Sequence, residues 1–157
     1  MKRALMMVVL TLAFTLVMGC TPKKDGLGAE VPEGEALRMA REGSPLVEVD
    51  STETYTAPPT VHVVRGRDKD GREVIVWVYT TVIRYAYADQ LISPQTARDV
   101  AQEAGFSVEA VRKTSLQVFQ GHLDDRANPV FWRLETNAGW IWVDAETERV
   151  LRRLDAQ

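Results

Sequence analysis

The side chains best equipped for chemistry lie in a short polar segment of the second half of the chain, where His122 is followed by Asp124 and Asp125. An imidazole beside two carboxylates could form an acid–base pair or supply two-thirds of a metal site. The segment is bounded by Gly121 and Pro129, however, and adjacent Asp residues in such a setting are typical of a solvated hairpin loop. We therefore interpret His122 as a loop residue.

The other candidates for catalysis or metal binding also have structural interpretations. His62 alternates with valines in a strand-like run, which indicates a structural role. The Asp68–Gly71 segment resembles the start of a calcium loop, but the position that should hold a bidentate Glu is Trp77. The sequence has no glycine-rich phosphate loop, G-x-S-x-G elbow or HExxH helix. We predict no catalytic residue, no metal and no cofactor.

Composition narrows the class of protein further. The chain has 157 residues, with 19 Lys and Arg against 22 Asp and Glu, two His and one Cys. This length suits one domain or two small ones and is enough to bury a core. The net charge of −3 argues against a nucleic-acid partner, which would favour a basic face. A single Cys excludes an internal disulfide and a Cys-rich zinc site.

The N-terminal segment has the pattern of a secretion signal. Two basic residues are followed by residues 4–19, which are apolar or small apart from two Thr. A membrane-spanning helix needs about 20 apolar residues, whereas the core of a secretion signal needs about 7–15. The small Gly19 before Cys20 resembles the lipobox of bacterial lipoproteins, which implies a diacylglycerol on Cys20 and cleavage just before it. We predict a lipoprotein signal peptide over residues 1–19; an uncleaved anchor and an ordinary signal peptide are the alternatives.

Residues 20–45 are expected to link this anchor to the folded part of the chain. They contain the lipidated Cys, a tether rich in Gly and charge, and a short helix over Glu35–Glu42. The helical spacing places Ala36, Leu37 and Ala40 on one stripe. From Leu46 the apolar period changes to two, which indicates that a half-buried strand begins there.

The strongest strands of the first half are Val61–Arg67 and Glu73–Tyr79. The Asp68–Gly71 segment between them predicts a hairpin, because Gly accepts the positive φ that the turn requires. The second strand has apolar residues on both faces, so we expect it either to be covered on both sides or to be covered by a partner.

The second half begins with a helix start signal. Ser93 is expected to cap the helix, Pro94 to occupy its first position, and Gly105 to end it. Four β-like runs follow, at Ala110–Phe119, Val130–Thr136, Trp140–Asp144 and Arg149–Leu154. Each half of the chain is thus a short helix and an antiparallel meander. The predicted fold class is α+β, with two small units over 46–91 and 92–157, and Thr80–Leu91 joining them.

The aromatic residues are candidates for either a core or an interface. Trp132 alternates with apolar residues, and Trp140 and Trp142 share one face of the next strand, which we interpret as a core face. Tyr85 and Tyr87 lie beside Arg84 in the connecting segment, a composition that suits a protein interface. These three residues are our candidates for contact with a partner, although packing between the two halves would explain them equally well.

Four runs carry a resemblance to a known family: VHVVRGRDKDGREVIVWV, ISPQTARDVAQEAG, PVFWRLET and WIWVDAETERVL. Together they resemble the TseB-like cell wall elongation regulators over about residues 46–154. The second half also resembles PepSY domains, whose usual ending is V-D-x-x-T-G-[EK]-x-L. The resemblance implies two cystatin-like or PepSY-like α+β units, no catalysis, and a role in cell wall elongation through contact with a penicillin-binding protein.

Two departures from these patterns have consequences. Members of the family usually keep a membrane-spanning anchor, whereas this chain has the lipobox-like Cys20, and either anchor places the domain on the outer face of the cytoplasmic membrane. Glu148 stands where PepSY domains commonly have Gly, so we expect a different type of turn there.

The resemblance and the residues together favour a non-catalytic, lipid-anchored protein that regulates cell wall elongation by binding a penicillin-binding protein or another wall-elongation protein. The main alternative is a PepSY-type inhibitor or chaperone of a secreted peptidase, which would act by strand addition. A lipoprotein that binds a small wall or peptide ligand is a third possibility. It requires a deep pocket, and we expect two small meanders to leave little volume for one.

Overall fold

The computed structural model describes residues 30–56, 60–80, 82–108, 111–123 and 126–155. Its first unit consists of one helix, four strands and a short 3₁₀ turn: α1 (Glu33–Gly43), β1 (Glu48–Tyr55), β2 (Val61–Arg67), β3 (Glu73–Val78), β4 (Ile83–Tyr87) and the 3₁₀ turn (Ala88–Gln90). The strands form an antiparallel sheet in the order β1-β2-β3-β4.

Helix α1 packs on one face of this first sheet. Ala36 and Ala40 are fully buried, as the predicted stripe requires. Their small side chains let the helix approach the even-numbered valines of the sheet closely. The buried core on this side comprises Ala36, Ala40, Leu46, Val64, Val74, Val76 and Val78.

The predicted turn between β2 and β3 is confirmed. Gly71 has a φ of +80°, and its N–H donates to the Asp68 carbonyl at 3.1 Å. The Asp68 carboxylate accepts hydrogen bonds from the N–H groups of Asp70 and Arg72, each at 2.9 Å. Asp68 therefore closes the turn from inside, and this explains why a carboxylate is buried there.

Strand β1 differs from the alternation that the sequence indicated. It begins at Glu48 rather than Leu46 and continues to Tyr55, and its register shifts between Val49 and Ser51. The shift interrupts the two-residue period. Gly66 lies opposite this region, where a Cβ would be only 1.9 Å from the Glu48 carbonyl oxygen. Only glycine therefore lets β1 approach β2 this closely.

The segment Thr80–Leu91 is more than the connection that we predicted. Its residues 83–87 form β4, which pairs with β3 from Val74↔Tyr87 to Val78↔Ile83 and completes the first sheet.

The second unit repeats the helix and meander. It contains α2 (Pro94–Glu103), β5 (Lys113–Val118), β6 (His122–Leu123), β7 (Arg126–Ala127), β8 (Val130–Thr136), β9 (Gly139–Asp144) and β10 (Val150–Asp155). The second sheet has the order β10-β9-β8-β5, and β6 and β7 form a separate small hairpin. The Ser93 hydroxyl accepts the Thr96 N–H at 3.0 Å, which confirms the predicted N-cap. The two antiparallel sheets, each accompanied by a helix, confirm the predicted α+β fold class.

Helix α2 covers one face of the second sheet. Its Ala97 and Ala101 are fully buried against Leu134, Ile141 and Val143. Neither α1 nor α2, the α-helices of the described ranges, is long and apolar enough to cross a membrane.

The two units share a core between their sheets. Ile75, Trp77 and Tyr79 lie on the face of the first sheet that is opposite α1, and they pack with Val118 and Val130 of the second unit. The valines of β3 face α1 at the same time. The prediction that this strand is covered on both sides is confirmed.

Two expectations for the second unit are wrong. Glu148 has a φ of +57°, so the turn keeps the left-handed backbone that a Gly would adopt instead of changing its type. Trp140 is 40% exposed and lies under the Arg133 guanidinium, 4.0 Å from the ring centre. Ile141 and Val143 take the core face of β9, so Trp140 and Trp142 lie on the opposite face. Trp132 does pack against the core.

Candidate functional site

Several of the sequence-based candidates lie outside the described residues. These are Cys20, Asp124, Asp125 and the side chain of His122. The lipid on Cys20 therefore stays a prediction. The backbone of His122 begins β6, in the small hairpin that was predicted as a loop. In the part of the chain that the structure describes, no group of three His, Cys, Asp or Glu side chains could hold a metal ion.

His62 has the structural role that its position in a strand indicated. Its side chain is buried, with Nε2 2.6 Å from the Val31 carbonyl oxygen and Nδ1 3.0 Å from the Thr54 hydroxyl. A carbonyl can only accept, so Nε2 carries the proton and Nδ1 accepts from Thr54 when the ring is neutral. Both ring nitrogens are thus used in joining β1, β2 and the chain before α1.

The three candidates for partner contact do not lie on one surface. Arg84 faces the second unit, where its guanidinium donates to the Asn128 carbonyl at 3.3 Å and pairs with Glu146 at 2.5 Å. Tyr85 and Tyr87 point to the opposite face of β4, with their rings edge to face at 6.3 Å. Arg84 therefore contributes to packing between the halves, which was one of the two interpretations.

Tyr87 is held in a cluster at the end of the first sheet. The Arg72 guanidinium lies 3.7 Å from the centre of its ring and donates to the Asp89 carboxylate at 3.1 Å. Burial, together with the nearby carboxylate of Asp68, raises the pKa of Tyr87. Tyr85, by contrast, is 38% exposed. Of the two tyrosines, Tyr85 has more of its side chain accessible to a partner.

A groove lies between the two sheets. It has a volume of about 630 Å³, within the range of roughly 300–1,000 Å³ that is usual for ligand sites. The groove is larger than the space that we expected two small meanders to leave. The lining comes from the inner face of the first sheet and from β5, β8 and β9 of the second: Tyr55, Val61, Val63, Trp77, Tyr79, Lys113, Ser115, Leu116, Gln117, Val118, Phe119, Gln120, Phe131, Arg133 and Trp142.

The aromatic wall of the groove is built by residues that α2 does not cover. The Trp142 ring stacks on Phe131 at 4.6 Å and contacts Phe119 at 5.9 Å. These residues lie on the face of the second sheet that is turned away from Ala97 and Ala101. The opposite wall is apolar, with Val61, Val63 and Trp77 from the first sheet. The groove therefore offers two apolar walls to a ligand.

Sequence reasoning missed this groove, although one signal for it was present. In β8 and β9, apolar core residues alternate with Arg133, Trp140 and Trp142. Aromatic and Arg residues on the non-core face of a sheet are typical of a recognition surface. We interpreted the face that carries Trp140 and Trp142 as a core face instead, because a two-residue alternation does not show which face of the sheet the helix covers.

The fold has a counterpart among solved structures. The YpmB protein from Bacillus subtilis superposes with a TM-score of 0.60, covering 82% of this chain and 100% of that chain, at 23% sequence identity. The chain thus has the fold of YpmB, with two small α+β units. A search of curated proteins finds no match.

A protein-family model also matches the chain, and the match lies in the first unit. Residues 35–79 match the model of the cell wall elongation regulator TseB-like domain. This range contains most of α1 and the strands β1 to β3. The resemblance to TseB-like regulators that the sequence motifs indicated is confirmed.

Proposed function

We propose that this protein is a non-catalytic, lipid-anchored regulator of cell wall elongation that binds a penicillin-binding protein at the outer face of the bacterial cytoplasmic membrane. The observation that carries the proposal is the match of residues 35–79 to the TseB-like domain, which is described as a regulator of cell wall elongation. Regulation of wall elongation requires contact with the proteins that build the wall.

The fold supports binding rather than catalysis. The buried His62 uses both ring nitrogens in hydrogen bonds that hold the first unit together. The groove between the sheets presents aromatic and apolar walls with two cations at its surface, Lys113 and Arg133. Such a surface can hold a protein segment, and protein interfaces are enriched in aromatic residues and Arg.

The N-terminal sequence supports the proposed location. Two acyl chains on Cys20 would anchor the protein stably, because each buried CH₂ contributes about 0.8 kcal/mol and a single chain is marginal. A shared membrane surface raises the effective concentration of the two partners, so that even a weak interface is occupied. The folded units then act as the binding part and Cys20 as the anchor.

Metabolic labelling tests the anchor directly. The wild-type chain should incorporate an alkyne analogue of palmitate, and Cys20→Ala should block both this label and the cleavage that removes residues 1–19. A neighbouring substitution, Thr21→Ala, is the control and should leave the label in place. Label that persists in Cys20→Ala would contradict the lipid anchor.

Complementation of a deletion strain tests regulation without catalysis. His122→Ala should restore cell shape and growth about as well as the wild type, whereas an exported chain that starts at Thr21 should restore them poorly. Loss of function in a stably folded His122→Ala variant would contradict a purely binding role. The segment around β6 and β7 would then be the place to search for an active site.

A further inference from the structure

Strand β5 directs part of its backbone away from the sheet and toward the groove. It is the last strand of the second sheet, and it pairs on one side with β8. The Phe119 N–H donates to the Pro129 carbonyl at 3.0 Å, so the odd-numbered residues in this register are the ones that hydrogen-bond to β8. Because such residues alternate in an antiparallel pair, the N–H and C=O groups of Thr114, Leu116 and Val118 point to the other edge.

A hydrogen bond from the opposite wall of the groove supports the outward orientation of these backbone groups. The Tyr79 hydroxyl, on the side of the first unit, donates to the Val118 carbonyl at 2.9 Å. Burial raises the pKa of Tyr79, which keeps its hydroxyl protonated and able to donate. The edge of β5 therefore faces the groove, and within the described residues no strand pairs with it.

The groove can also receive the side chains of an added strand. Leu116 of β5, Val63 of the first sheet and Trp142 of the second all line it. In an extended peptide, side chains alternate between the two faces at about 3.3 Å per residue. A strand on the β5 edge would place every second side chain against these apolar walls.

Charge selects among such peptides. The charged side chains that line the groove are Lys113 and Arg133, and both are cationic. One carboxylate lies beside them, that of Glu135, which is 3.8 Å from Arg133 and opposite Lys113 in the ladder, so the three groups together carry a net positive charge. Lys113 is exposed, and Arg133 is 28% exposed at its side chain. Carboxylates on an incoming segment would pair with these groups, whereas ammonium groups would be repelled.

We propose that the β5 edge and the groove beside it bind an extended, acidic peptide segment of the partner by strand addition. The inference deepens the proposed function, on which it rests for the nature of the partner. The outward backbone groups of Thr114 and Leu116 favour a peptide, because a peptide can continue the ladder of backbone hydrogen bonds there. The Val118 carbonyl already accepts the Tyr79 hydroxyl and marks the end of this open edge.

A synthetic peptide is the probe for the first test. It is a fluorescent ten-residue peptide in which Val alternates with Thr and two Glu stand at each end, and its control has Lys in place of every Glu. Fluorescence anisotropy with the full chain in detergent micelles should show saturable binding of the acidic peptide. Binding of the Lys peptide should be weaker by about tenfold, since its ammonium groups meet Lys113 and Arg133 as like charges.

Two pairs of variants separate the backbone contact from the charge contact. Thr114→Pro removes one outward N–H and should weaken binding about fivefold. Its control Thr114→Val loses the same side-chain hydrogen bond from Arg98 (3.1 Å) but keeps the N–H, and should bind normally. Lys113→Glu should weaken binding about two- to fivefold, and Arg41→Glu, the same charge change on α1, should not.

Several results would overturn the proposal. One is equal binding of the Glu and Lys peptides; another is a Thr114→Pro variant that binds like Thr114→Val. Amide shifts of β5 that respond to chitotetraose but not to the peptide would assign the groove to a glycan. Self-association in sedimentation that Thr114→Pro abolishes would assign the edge to a second copy of the chain.

The outcomes also separate this inference from the function on which it rests. Failed peptide binding, with a penicillin-binding protein still captured in native membranes, would overturn the groove assignment alone. Peptide binding through the β5 edge without capture of any wall-synthesis enzyme would support the groove and contradict the proposed function.

Discussion

Gly71 lies in the turn between β2 and β3 with a φ of +80°, and an added Cβ would have no atom within 4 Å. A side chain there would lower the stability of the fold only through the strained backbone, because it would meet no other atom. Gly71→Ala should lower the free energy of unfolding by about 1–2 kcal/mol, and the β-branched Gly71→Val by about 1–3 kcal/mol. Urea unfolding measures both values.

Gly34 provides the matched control for this substitution. It also has open space around a built Cβ, but it lies in the first turn of α1 without a positive φ. Gly34→Ala should therefore be neutral or slightly stabilising, because Ala favours the helix. Equal effects of the two Ala substitutions would contradict the assigned turn.

Asp68 makes the same turn sensitive to acid. Burial opposes its ionisation, but the N–H groups of Arg72 and Asp70 donate to the carboxylate, and the net effect is a pKa below the ordinary 3.8. A lowered folded-state pKa contributes stability above the ordinary value, and this contribution is lost as the pH falls through the folded value. Asp68→Asn should therefore unfold at lower urea than wild type at neutral pH.

The difference between Asp68→Asn and the wild type should shrink as the pH falls below about 4, because the wild-type carboxylate then becomes protonated. Urea midpoints at about pH 7 and about pH 2 give the comparison. Asp70→Asn, whose carboxylate is in the exposed part of the turn, is the control. A wild-type advantage that stays constant down to the lower pH would show that the Asp68 carboxylate does not stabilise the turn by its charge.

At the scale of elements, the approach of β1 to β2 depends on Gly66. A Cβ there would meet the Glu48 carbonyl oxygen at 1.9 Å and the Leu46 Cδ1 at 2.7 Å. Backbone cannot yield as a flexible side chain can, so Gly66→Ala should destabilise the protein by about 3 kcal/mol or displace the start of β1. Hydrogen exchange of β1, compared with that of β9, would show the displacement.

Ala86→Gly is a useful comparison for Gly66→Ala, since it removes a buried methyl group from the same sheet without creating a clash. Loss of protection confined to β1 is expected in Gly66→Ala and not in Ala86→Gly. Normal stability and normal exchange in Gly66→Ala would contradict the close approach of the two strands.

Elements with strong end signals could be predicted from the sequence. Helix α2 has Ser93 and Pro94 at its start, and the hairpin of β2 and β3 has an Asp-Gly turn. These residues by themselves determine where the helix begins and where the hairpin turns. Strand β4 was missed because Thr80–Leu91 carries no Gly or Pro to mark a turn. Its pairing with β3 is decided by tertiary packing.

The candidate site was less predictable than the fold. The groove is formed by the face of each sheet that its own helix leaves open, and this depends on how the two units pack. The two-residue alternation of a strand places Trp140 and Trp142 on one face of β9, but it does not show which face is covered by the helix. The left-handed backbone of Glu148 shows the same limit, because the surrounding turn imposes a conformation that the residue type does not favour.

At the scale of the whole molecule, the Tyr79 hydroxyl joins the two units through the Val118 carbonyl. Tyr79→Phe removes this hydrogen bond and leaves a carbonyl without that partner, so the free energy of unfolding should fall by about 1–2 kcal/mol. Tyr55→Phe is the control, because its exposed hydroxyl donates to Glu53 within β1 and does not join the two units. Equal, negligible effects of both substitutions would show that the units do not depend on this contact.

The central claim is that the anchored chain contacts a wall-synthesis enzyme, and capture in native membranes tests it most directly. The full chain would be crosslinked in living cells, purified, and its partners identified by mass spectrometry, beside a control in which residues 1–29 carry an unrelated domain on the same membrane. A penicillin-binding protein enriched with the full chain and absent from the control is the expected result. Enrichment of a secreted peptidase without any penicillin-binding protein would contradict the account.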